Sequence, residues 1–443
     1  MFTLDVFKNI LATMPLKNSG QCWVAYSGGL DSHVLLHALS QCRIIYPHLN
    51  IKAIHIHHGL SPFADAWSDH CAAICQDLGV ICLVKKVDVL GVLGNGSLEE
   101  VARDLRYQVF AGLMDEEDCV MLAHHQDDLA ETFLLQALRG AGPKGLAGMP
   151  AIKPFAKGMI LRPLLDISRA SLRAYAQAEG LIWQEDESNM QNRFDRNYLR
   201  NRIFPGLLAR FVGSTSALAR SAKHCAETNI LLIEMAQEDL VHCKGSVAGT
   251  LSVSALLRLS LARQKNLLRF WIKELGFLLP TTVKLEQLLL TVLLARKDAC
   301  PHLIWCGAEV RRYQDNLYIM TPLPEHDPTE IFNWDMQETL LLPGVGQLNS
   351  CEEIGKGIHL PLGAYVTVRF RAGGERMHVA GRLGTHPLKK LFQEWGVPPW
   401  LRSRVPLIFY GEELVMVVGY ASSAHHPDGR GKMVLLECPP SDT

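Results

Sequence analysis

The chain has 443 residues and a formal net charge of −1, with 48% apolar and 20% charged residues, a balance that excludes a largely disordered protein. At roughly 100–200 residues per domain, this length predicts several domains. No apolar run approaches the roughly 20 residues that span a bilayer, and residues 1–20 lack the apolar core of a secretory signal. The 12 cysteines form no C-x-x-C pair, which favours reduced thiols in a cytoplasmic protein.

The first third of the chain alternates short apolar runs with segments of helical spacing. The apolar runs predict buried strands at residues 22–26, 51–57, 81–87 and 119–123. The intervening spacing predicts helices at residues 32–40, 64–78 and 97–114, the last beginning with a capping box of Ser97 and Glu100. This alternation predicts an α/β domain with a doubly wound parallel sheet.

The rest of the chain has a different organisation. Its predicted elements are an irregular Gly- and Pro-rich segment at 140–154, a helix at 167–179, helices throughout 214–296, a linker at 322–327, strands at 365–370 and 413–420, and a helix at 388–395. We therefore predict three domains, namely the parallel-sheet domain over residues 1–213, a helical domain over 214–323 and a small α+β domain over 328–443.

The strongest local signal is Ser-Gly-Gly-Leu-Asp-Ser at residues 27–32, between the first predicted strand and helix. Backbone N–H groups of a glycine turn and of a helix N-terminus bind anions, so the loop predicts a phosphate site. The alternative is a tight turn in which Gly28 and Gly29 only supply unusual dihedral angles. The loop has no Walker lysine. Asp31 would then lie among phosphates, which indicates a Mg²⁺ ion shared by Asp31 and the phosphates. The alternative is that Asp31 is simply an acid at a helix N-terminus.

A second cluster follows the fourth predicted strand, where His124 and His125 precede a helix that begins with acids. Asp127 and Asp128 fall in its first turn, and Glu131 shares a helix face with Asp128. Helix capping alone is one interpretation. Capping does not account for the two histidines or for Glu131, which lies one turn further along the helix. The cluster also follows the carboxyl end of a strand, and this is the edge of a parallel sheet where ligands usually bind. We therefore interpret the three acids as a second Mg²⁺ and base cluster.

Further candidates flank these two clusters. His55, His57 and His58 end the second predicted strand, but no Cys or acid at metal spacing accompanies them, so ligand or loop positioning is favoured over zinc. Arg103 and Arg106 share one face of the third helix, where they either reach a phosphate or form a solvated, salt-bridging face.

Two segments carry concentrated positive charge. Residues 193–202 contain four arginines opposed only by Asp195, and residues 366–405 contain eight basic residues against two acids. Such a patch is the electrostatic footprint expected for nucleic acid, although a solvated surface is the alternative. Trp395 and Trp400 lie within the second segment, and we interpret both as core residues in preference to base-stacking residues.

The combined motifs resemble those of the PP-loop ATP pyrophosphatases and, among them, the tRNA(Ile)-lysidine synthases. The loop sequence is shared by many PP-loop enzymes. The more specific matches are H-H-G-L-S at 57–61, S-L-E-E-V-A-R-D-L-R-Y at 97–107, A-H-H-Q-D-D-L-A-E-T at 123–132, R-P-L-L-D-I-S-R at 162–169, D-E-S-N at 186–189, R-N-Y-L-R-N-R-I-F-P at 196–205, R-A-G-G-E-R at 371–376 and L-K-K-L-F-Q-E-W-G-V-P-P-W-L-R at 388–402.

The resemblance implies ATP-dependent ligation of L-lysine to the C2 carbon of the wobble cytidine in tRNA(Ile) with a CAU anticodon, through an adenylylated intermediate. It implies catalytic roles for Asp31, Asp128 and Glu131, and Mg²⁺ on Asp31 and Asp128. The implied ATP-binding residues are Ser27, Gly28, Gly29, Leu30, Asp31, Ser32, His57, Arg103 and His124. The implied tRNA-binding residues are Arg196, Arg200, Arg369, Arg371, Arg376, Lys389, Lys390 and Arg402.

Three alternatives remain at this point. A tRNA base thiolase would also adenylylate its substrate, but it needs a sulfur relay, and the motifs contain no cysteine. Another PP-loop adenylylating synthetase, acting on a small metabolite, would not account for the basic C-terminal segment. A non-enzymatic RNA-binding module would not need Asp31, Asp128 and Glu131. We expect a cytoplasmic enzyme without membrane association, and the sequence indicates no protein partner.

Overall fold

A computed structural model describes residues 1–17, 19–47, 49–92, 97–185, 191–296, 299–354, 358, 360–361, 364–423 and 430–437. The chain divides into two units, Met1–Leu231 and Leu232–Thr443. Among the described residues, no helix combines the length and apolarity needed to cross a membrane. The D-E-S-N motif at 186–189 lies outside the described residues.

The first unit is built on a six-stranded sheet. Its strands are β1 (Gln21–Ala25), β2 (Asn50–His57), β3 (Ile81–Lys86), β4 (Cys119–Met121), β5 (Ile152–Phe155) and β6 (Gly158–Leu161). The order is β3-β2-β1-β4-β6-β5, and only the β5–β6 pair is antiparallel. Cys22 and Val24 pack in one apolar core and Trp23 in a second core, so β1 is buried on both faces. The predicted doubly wound parallel sheet is confirmed.

Helices surround this sheet. They are α1 (Leu4–Ala12), α2 (Leu30–Gln41), α3 (Ala64–Asp77), α4 (Leu98–Leu113), α5 (Gln126–Leu138), α6 (Pro143–Leu146), α7 (Arg169–Ala178), α8 (Asp195–Tyr198) and α9 (Phe204–Arg210), with a π-helix over Leu199–Ile203. Ser97 accepts a hydrogen bond from the backbone of Glu100 at 3.2 Å, as expected for the predicted helix start.

The prediction of an irregular segment at 140–154 is wrong. The segment contains α6 and most of β5. Pro143 occupies the first position of α6, where a missing N–H costs no helical hydrogen bond. Pro154 lies in β5, at the edge of the sheet, where proline is tolerated.

The order of the strands creates a crevice at the centre of the sheet. β1 pairs with β2 on one side and with β4 on the other, so the chain reverses its winding direction at β1. In open parallel sheets, ligands bind at the carboxyl ends of the strands at such a switch point. Residues 27–32, called the phosphate loop below, follow β1, and the start of α5 follows β4.

The second unit begins within a long helix, α10 (Ser214–His242). The helices that follow are α11 (Val253–Leu256), α12 (Leu261–Glu274) and α13 (Thr282–Gln287), continued by a π-helix over Leu288–Leu293. The predicted helices at 214–296 are therefore largely confirmed.

Residues 302–320, within the predicted helical domain over 214–323, form three strands of a four-stranded sheet, so the prediction is wrong there. The strands of this sheet are β7 (Leu251–Ser252), β8 (His302–Trp305), β9 (Ala308–Tyr313) and β10 (Asn316–Met320), in the order β7-β10-β9-β8. Two-residue turns join β8 to β9 and β9 to β10, with Gly307 and Gln314 at positive φ. Gln314 is not a residue that predicts such a turn, so the hairpin signal is weak.

The remaining residues form the strand-rich end of the chain. Its elements are β11 (Phe332–Trp334), β12 (Leu340–Leu342), β13 (Gly346–Ile354), β14 (Val366–Arg369), β15 (Arg376–His378), β16 (Thr385–Pro387), α14 (Leu388–Glu394), α15 (Pro399–Arg402), β17 (Leu407–Tyr410), β18 (Glu413–Val417), β19 (Ala421–Ser422) and β20 (Arg430–Glu437). The predicted strands at 365–370 and 413–420 and the helix at 388–395 are confirmed as β14, β18 and α14.

Candidate active site

The phosphate loop is closed by its own serine side chains. Ser27 Oγ and Ser32 Oγ lie 3.0 Å apart, and Ser32 Oγ donates to the carbonyl of Gly29 at 3.0 Å. Gly28 has a φ of +81°, and a Cβ there would lie 3.0 Å from Cys71 Sγ. Gly29 has an ordinary φ of −79°. Only one of the two glycines therefore supplies the left-handed conformation that the turn requires.

Two adjoining cavities open beside this loop and share Ser27 and Arg106. The phosphate cavity, of about 620 Å³, is lined by Gly29, Leu30, Asp31, Ser32, Arg103 and His124 among others. The histidine cavity, of about 740 Å³, is lined by Tyr26, His55, His57, His58 and Trp67 among others. The structure thus brings the predicted ATP-binding residues to two neighbouring walls, except Gly28, which faces Cys71.

Each histidine of the histidine cavity has a different partner. His55 Nδ1 lies 2.9 Å from a backbone carbonyl oxygen, and His57 Nε2 lies 3.1 Å from Asp65 Oδ1. Arg106 donates to His58 Nε2 at 3.1 Å. Burial, followed by the charge of Arg106, lowers the pKa of His58 to about 4, and burial lowers the pKa of His55. These two rings are therefore neutral at pH 7, which suits a wall that contacts a nucleobase.

Asp31 lies in the first turn of α2 and borders the phosphate cavity. Its Oδ2 lies 3.6 Å from His125 Nε2 and 3.8 Å from Arg169 Nε. Its Oδ1 is buried and has no hydrogen-bond partner among the described residues. A buried carboxylate oxygen without a donor is costly, and one cation would satisfy it. The donor set at Asp31 therefore fits Mg²⁺, which prefers oxygen ligands.

Asp128 and Glu131 lie on one face of α5, as predicted, and are 7% and 4% exposed. Arg196 donates to Asp128 Oδ1 at 2.7 Å and to Glu131 Oε2 at 3.0 Å. Arg200 donates to Glu131 Oε1 at 2.7 Å and to Asp128 Oδ1 at 3.1 Å. Asp128 Oδ2 accepts from the backbone N–H of His125 at 2.9 Å. All four carboxylate oxygens are therefore occupied, and Asp128, Glu131, Arg196 and Arg200 form what we call the ion cluster.

The ion cluster gives three residues assigned from the sequence partners within the protein. Arg196 and Arg200, assigned to tRNA, donate to carboxylates of their own domain. Both oxygens of Asp128, assigned to Mg²⁺, accept hydrogen bonds from protein groups. Neither Asp128 nor Glu131 lines the phosphate cavity, whereas Arg200 does. These pairings join residues that are 65 or more positions apart, and local sequence patterns carry no signal for them.

The two histidines before α5 have opposite electrostatic environments. His125 caps the helix, because its Nδ1 accepts from the backbone N–H of Asp128 at 3.4 Å, so the capping interpretation is also correct. Burial alone would lower the pKa of His125, but the carboxylates of Asp128 and Asp31 outweigh burial and raise it. Burial lowers the pKa of His124 to about 3, and His124 Nδ1 accepts from Arg162 at 3.2 Å. A neutral His124 therefore lines the phosphate cavity.

Positive charge dominates the phosphate cavity. Among the described residues that line it, the acids are Asp31 and Glu185, and the five arginines are Arg103, Arg106, Arg169, Arg173 and Arg200. Guanidinium groups bind phosphate oxygens strongly, so this excess of positive charge suits a polyphosphate. Sequence reasoning missed Arg169 and Arg173, which lie one turn apart on α7. Their position could have indicated a role, because α7 begins after β6, and β6 is another parallel strand of the same sheet.

The basic residues of the C-terminal segment differ in how freely they can reach a ligand. Lys389 and Lys390 are exposed on α14. Arg402, assigned to tRNA, instead donates to the carbonyl of Val397 at 2.9 Å and to the hydroxyl of Tyr313 at 3.0 Å. Its side chain is partly buried, and these two hydrogen bonds hold it against the protein.

The other assigned arginines of this segment also contact protein groups. Arg369 lies 3.4 Å from Glu412, whose side chain is 90% exposed, and Arg371 lies 4.0 Å from Glu375. Arg376 donates to a backbone carbonyl at 2.9 Å. The nearby tryptophans pack against protein, as predicted. Trp395 stacks on a tyrosine ring at 5.5 Å, and Trp400 meets two tyrosine rings edge-on at 5.4 and 6.2 Å.

The parallel sheet, its Gly-Gly loop at the switch point and the arginine-lined cavity define a PP-loop nucleotide-binding enzyme. The family model for the PP-loop domain matches residues 3–207. Models described as the TilS substrate binding domain and the TilS substrate C-terminal domain match residues 251–318 and 366–437.

Curated relatives define the family more narrowly. The chain is 43% identical over 422 residues to a tRNA(Ile)-lysidine synthase from Coxiella burnetii, covering 95% of this chain and 93% of the relative. It is 44% identical over 422 residues to a tRNA(Ile)-lysidine synthase from Edwardsiella ictaluri, covering 95% and 94%. The chain belongs to the tRNA(Ile)-lysidine synthase family, a family of ATP-using PP-loop ligases.

Among solved structures, the U34-tRNA thiolase NcsA from Methanococcus maripaludis matches 50% of this chain and 78% of its own chain. The sequence identity is 18% and the TM-score is 0.43, a likeness too weak to inform function.

Breaking the ion cluster from one side is expected to destabilise the protein. Arg200→Gln leaves Glu131 Oε1 without its charged donor, and removal of one partner from a buried ion pair costs about 3–5 kcal/mol of unfolding free energy. Arg139→Gln is the matched control, because Arg139 pairs with Asp195 at the surface, where a pair contributes about 0–1 kcal/mol. Urea unfolding at pH 7 measures both changes.

The ion cluster also makes the stability of the fold depend on pH in the acid range. Burial would raise the pKa of Asp128, but His125 and Arg196 outweigh burial and lower it to about 2 from 3.8. The ionised carboxylate therefore stabilises the fold fully above about pH 4, and this contribution is lost as the pH falls toward 2. Wild-type stability should decline more steeply across this window than that of Asp128→Asn. Parallel curves, or equal effects of the two arginine variants, would contradict the ion cluster.

Proposed function

We propose that the protein uses ATP to join L-lysine to the C2 carbon of the wobble cytidine in tRNA(Ile) with a CAU anticodon. The product, lysidine, reads AUA instead of AUG and changes the tRNA from methionine to isoleucine identity. The observation that carries this proposal is the phosphate loop, which faces five arginines across one cavity at the switch point of the sheet. Membership of the lysidine synthase family supports the choice of substrates.

The first step transfers AMP to the cytidine. The carbonyl oxygen of cytosine attacks the α-phosphorus of ATP, the bond from that phosphorus to the bridging oxygen breaks, and pyrophosphate leaves. Backbone N–H groups of the phosphate loop and the arginines of the phosphate cavity bind the triphosphate and stabilise the developing charge. We assign the adenosine to the histidine cavity, where His57 and the neutral rings of His55 and His58 form one wall.

Asp31 is the residue that would hold Mg²⁺, because its Oδ1 is buried without a hydrogen-bond partner in the described part of the chain. When bound, the ion supplies charge neutralisation and Lewis acidity at the phosphates. Asp128 does not share this role in the observed conformation, since both of its oxygens are already occupied.

The second step joins lysine to the activated base. The ε-amine of lysine attacks C2, and AMP leaves with the former carbonyl oxygen. The ordinary pKa of this amine is about 10.4, so it arrives charged and must lose a proton before it attacks. We propose Asp128 and Glu131 as its partners, with the incoming ammonium replacing one guanidinium of the ion cluster. Such an exchange keeps the charge of the buried site balanced.

The other adenylylating reactions are less well supported. A tRNA base thiolase needs a sulfur carrier at the site, yet Cys71, which lies next to the phosphate loop, is fully buried beneath Gly28. Curated lysidine synthases align with almost the whole chain. This similarity favours lysidine formation over the reactions of a thiolase or a small-metabolite synthetase.

We propose that tRNA is held partly by the C-terminal segment, through the exposed Lys389 and Lys390 together with Arg369, Arg371 and Arg376. We expect the enzyme to act in the cytoplasm, where tRNA is modified. The eleven cysteines in the described part of the chain are all free thiols, in keeping with a reducing compartment.

The direct test is incubation of the protein with ATP, labelled L-lysine and total tRNA. Label should enter RNA and survive alkaline conditions that strip aminoacyl esters. Asp31→Asn should lower the rate by about a hundredfold or more, the usual size of a lost electrostatic contribution, while filter-bound tRNA changes little. If the wild-type protein yields no alkali-stable label in RNA, the proposed reaction is refuted. Normal pyrophosphate release by Asp31→Asn would refute the role of Asp31.

A second prediction concerns Lys389 and Lys390. Replacing both with Gln should reduce the slope of log affinity for tRNA against log salt by about two units, because each neutralised phosphate contributes about 0.9. The control replaces Lys153 and Lys157 with Gln, which removes the same charge from an exposed site in the first unit. If the C-terminal pair is only a solvated surface, the two double variants will show the same slope as the wild type.

A further inference from the structure

The phosphate loop has no lysine of its own, unlike a Walker loop, whose lysine reaches the β- and γ-phosphates. The structure brings an arginine to this place from a distant part of the chain. Arg169 is the first residue of α7 and lines the phosphate cavity. Its Nε lies 3.8 Å from Oδ2 of Asp31, a residue of the loop itself. A guanidinium group therefore lies beside the loop, where the Walker lysine is missing.

The backbone of Arg169 is fixed while its side chain remains open to a ligand. Its backbone N–H donates to Asp127 Oδ2 at 2.9 Å, and Ser168 caps α7 by accepting from the backbone N–H of Ser171 at 3.3 Å. The Arg169 side chain is 46% exposed, and its contact with Asp31 is longer than a hydrogen bond. The guanidinium can therefore turn toward a phosphate without disturbing the helix start.

The other arginines of the phosphate cavity have partners outside the loop. Arg103 stacks on the Tyr107 ring at 5.1 Å, Arg106 donates to His58, Arg173 lies 3.7 Å from Glu185, and Arg200 belongs to the ion cluster. Arg169 alone among the five contacts a phosphate-loop residue by an ion pair in the described structure. This distinguishes it as the cation that belongs to the phosphate loop.

We propose that Arg169 binds the β- and γ-phosphates of ATP and then the leaving pyrophosphate. The inference rests on the proposed use of ATP and extends it to a residue that the loop motif does not contain. Negative charge collects on pyrophosphate as its bond to the α-phosphorus breaks, and an adjacent guanidinium stabilises that charge.

Calorimetric titration of the full-length protein with ATP and with AMP, in the absence of tRNA and lysine, tests the proposal. Arg169→Gln should weaken ATP binding about 10- to 100-fold, the size of a lost charge-assisted hydrogen bond. AMP lacks the β- and γ-phosphates, so its affinity should stay within about twofold. Arg169→Lys should recover part of the loss, and Arg139→Gln, which removes an exposed arginine away from both cavities, should bind ATP normally.

The alternative is that Arg169 only positions Asp31 and affects ATP binding through the Mg²⁺ that Asp31 would hold. Titrations repeated in EDTA separate the two roles, because direct phosphate binding by Arg169 does not need Mg²⁺. A loss of ATP affinity that disappears in EDTA, an equal loss for AMP, or no loss would overturn the proposal. A wild-type protein that binds ATP but does not modify tRNA would refute the proposed function and leave the role of Arg169 intact.

Discussion

Two carboxylates, Asp128 and Glu131, are buried beside a cavity that must accept a polyanion, and the structure depends on how their charge is balanced. Without partners, each carboxylate would lose several kcal/mol of solvation and would repel a nucleotide in the neighbouring cavity. Arg196 and Arg200 neutralise both, with hydrogen bonds of 2.7–3.1 Å. Arg200 also lines the phosphate cavity. The charge balance of the ion cluster is thus linked to the phosphate cavity through Arg200.

The fold supplies this arrangement by bringing three strand ends together. The phosphate loop follows β1, the acidic helix start follows β4, and Arg169 follows the last parallel strand, β6. Nucleotide, acids and cations therefore meet at one edge of the sheet, although they come from separate parts of the sequence. His125 links two of these elements, because it caps α5 and lies 3.6 Å from Asp31. The rigidity of the sheet positions the reacting groups, and the side chains only have to be the right chemical types.

The features that depend on local sequence could be predicted. The strand–loop–helix around residues 27–32, the helix cap at Ser97 and the acidic start of α5 all follow from short patterns, and the structure contains each of them. The pairing of Arg196 and Arg200 with acids on α5 could not be predicted, because a cluster of arginines looks the same whether it binds RNA or carboxylates. The hairpin of β9 and β10 has no clear sequence signal, because Gln314 occupies a turn position that glycine or asparagine usually marks. Charge alone also does not show that the guanidinium of Arg402 donates to a backbone carbonyl and to a tyrosine hydroxyl.

In the proposed function, one edge of the sheet carries out two separate steps, adenylylation of the base and then attack by an amine. Quenched-flow measurement of pyrophosphate and AMP, with enzyme, ATP and tRNA(Ile) but no lysine, separates the two steps. We expect a burst of pyrophosphate that approaches one equivalent per bound tRNA, with AMP released only after lysine is added. Pyrophosphate that appears only when lysine is present, or AMP released at the same rate without lysine, would contradict it.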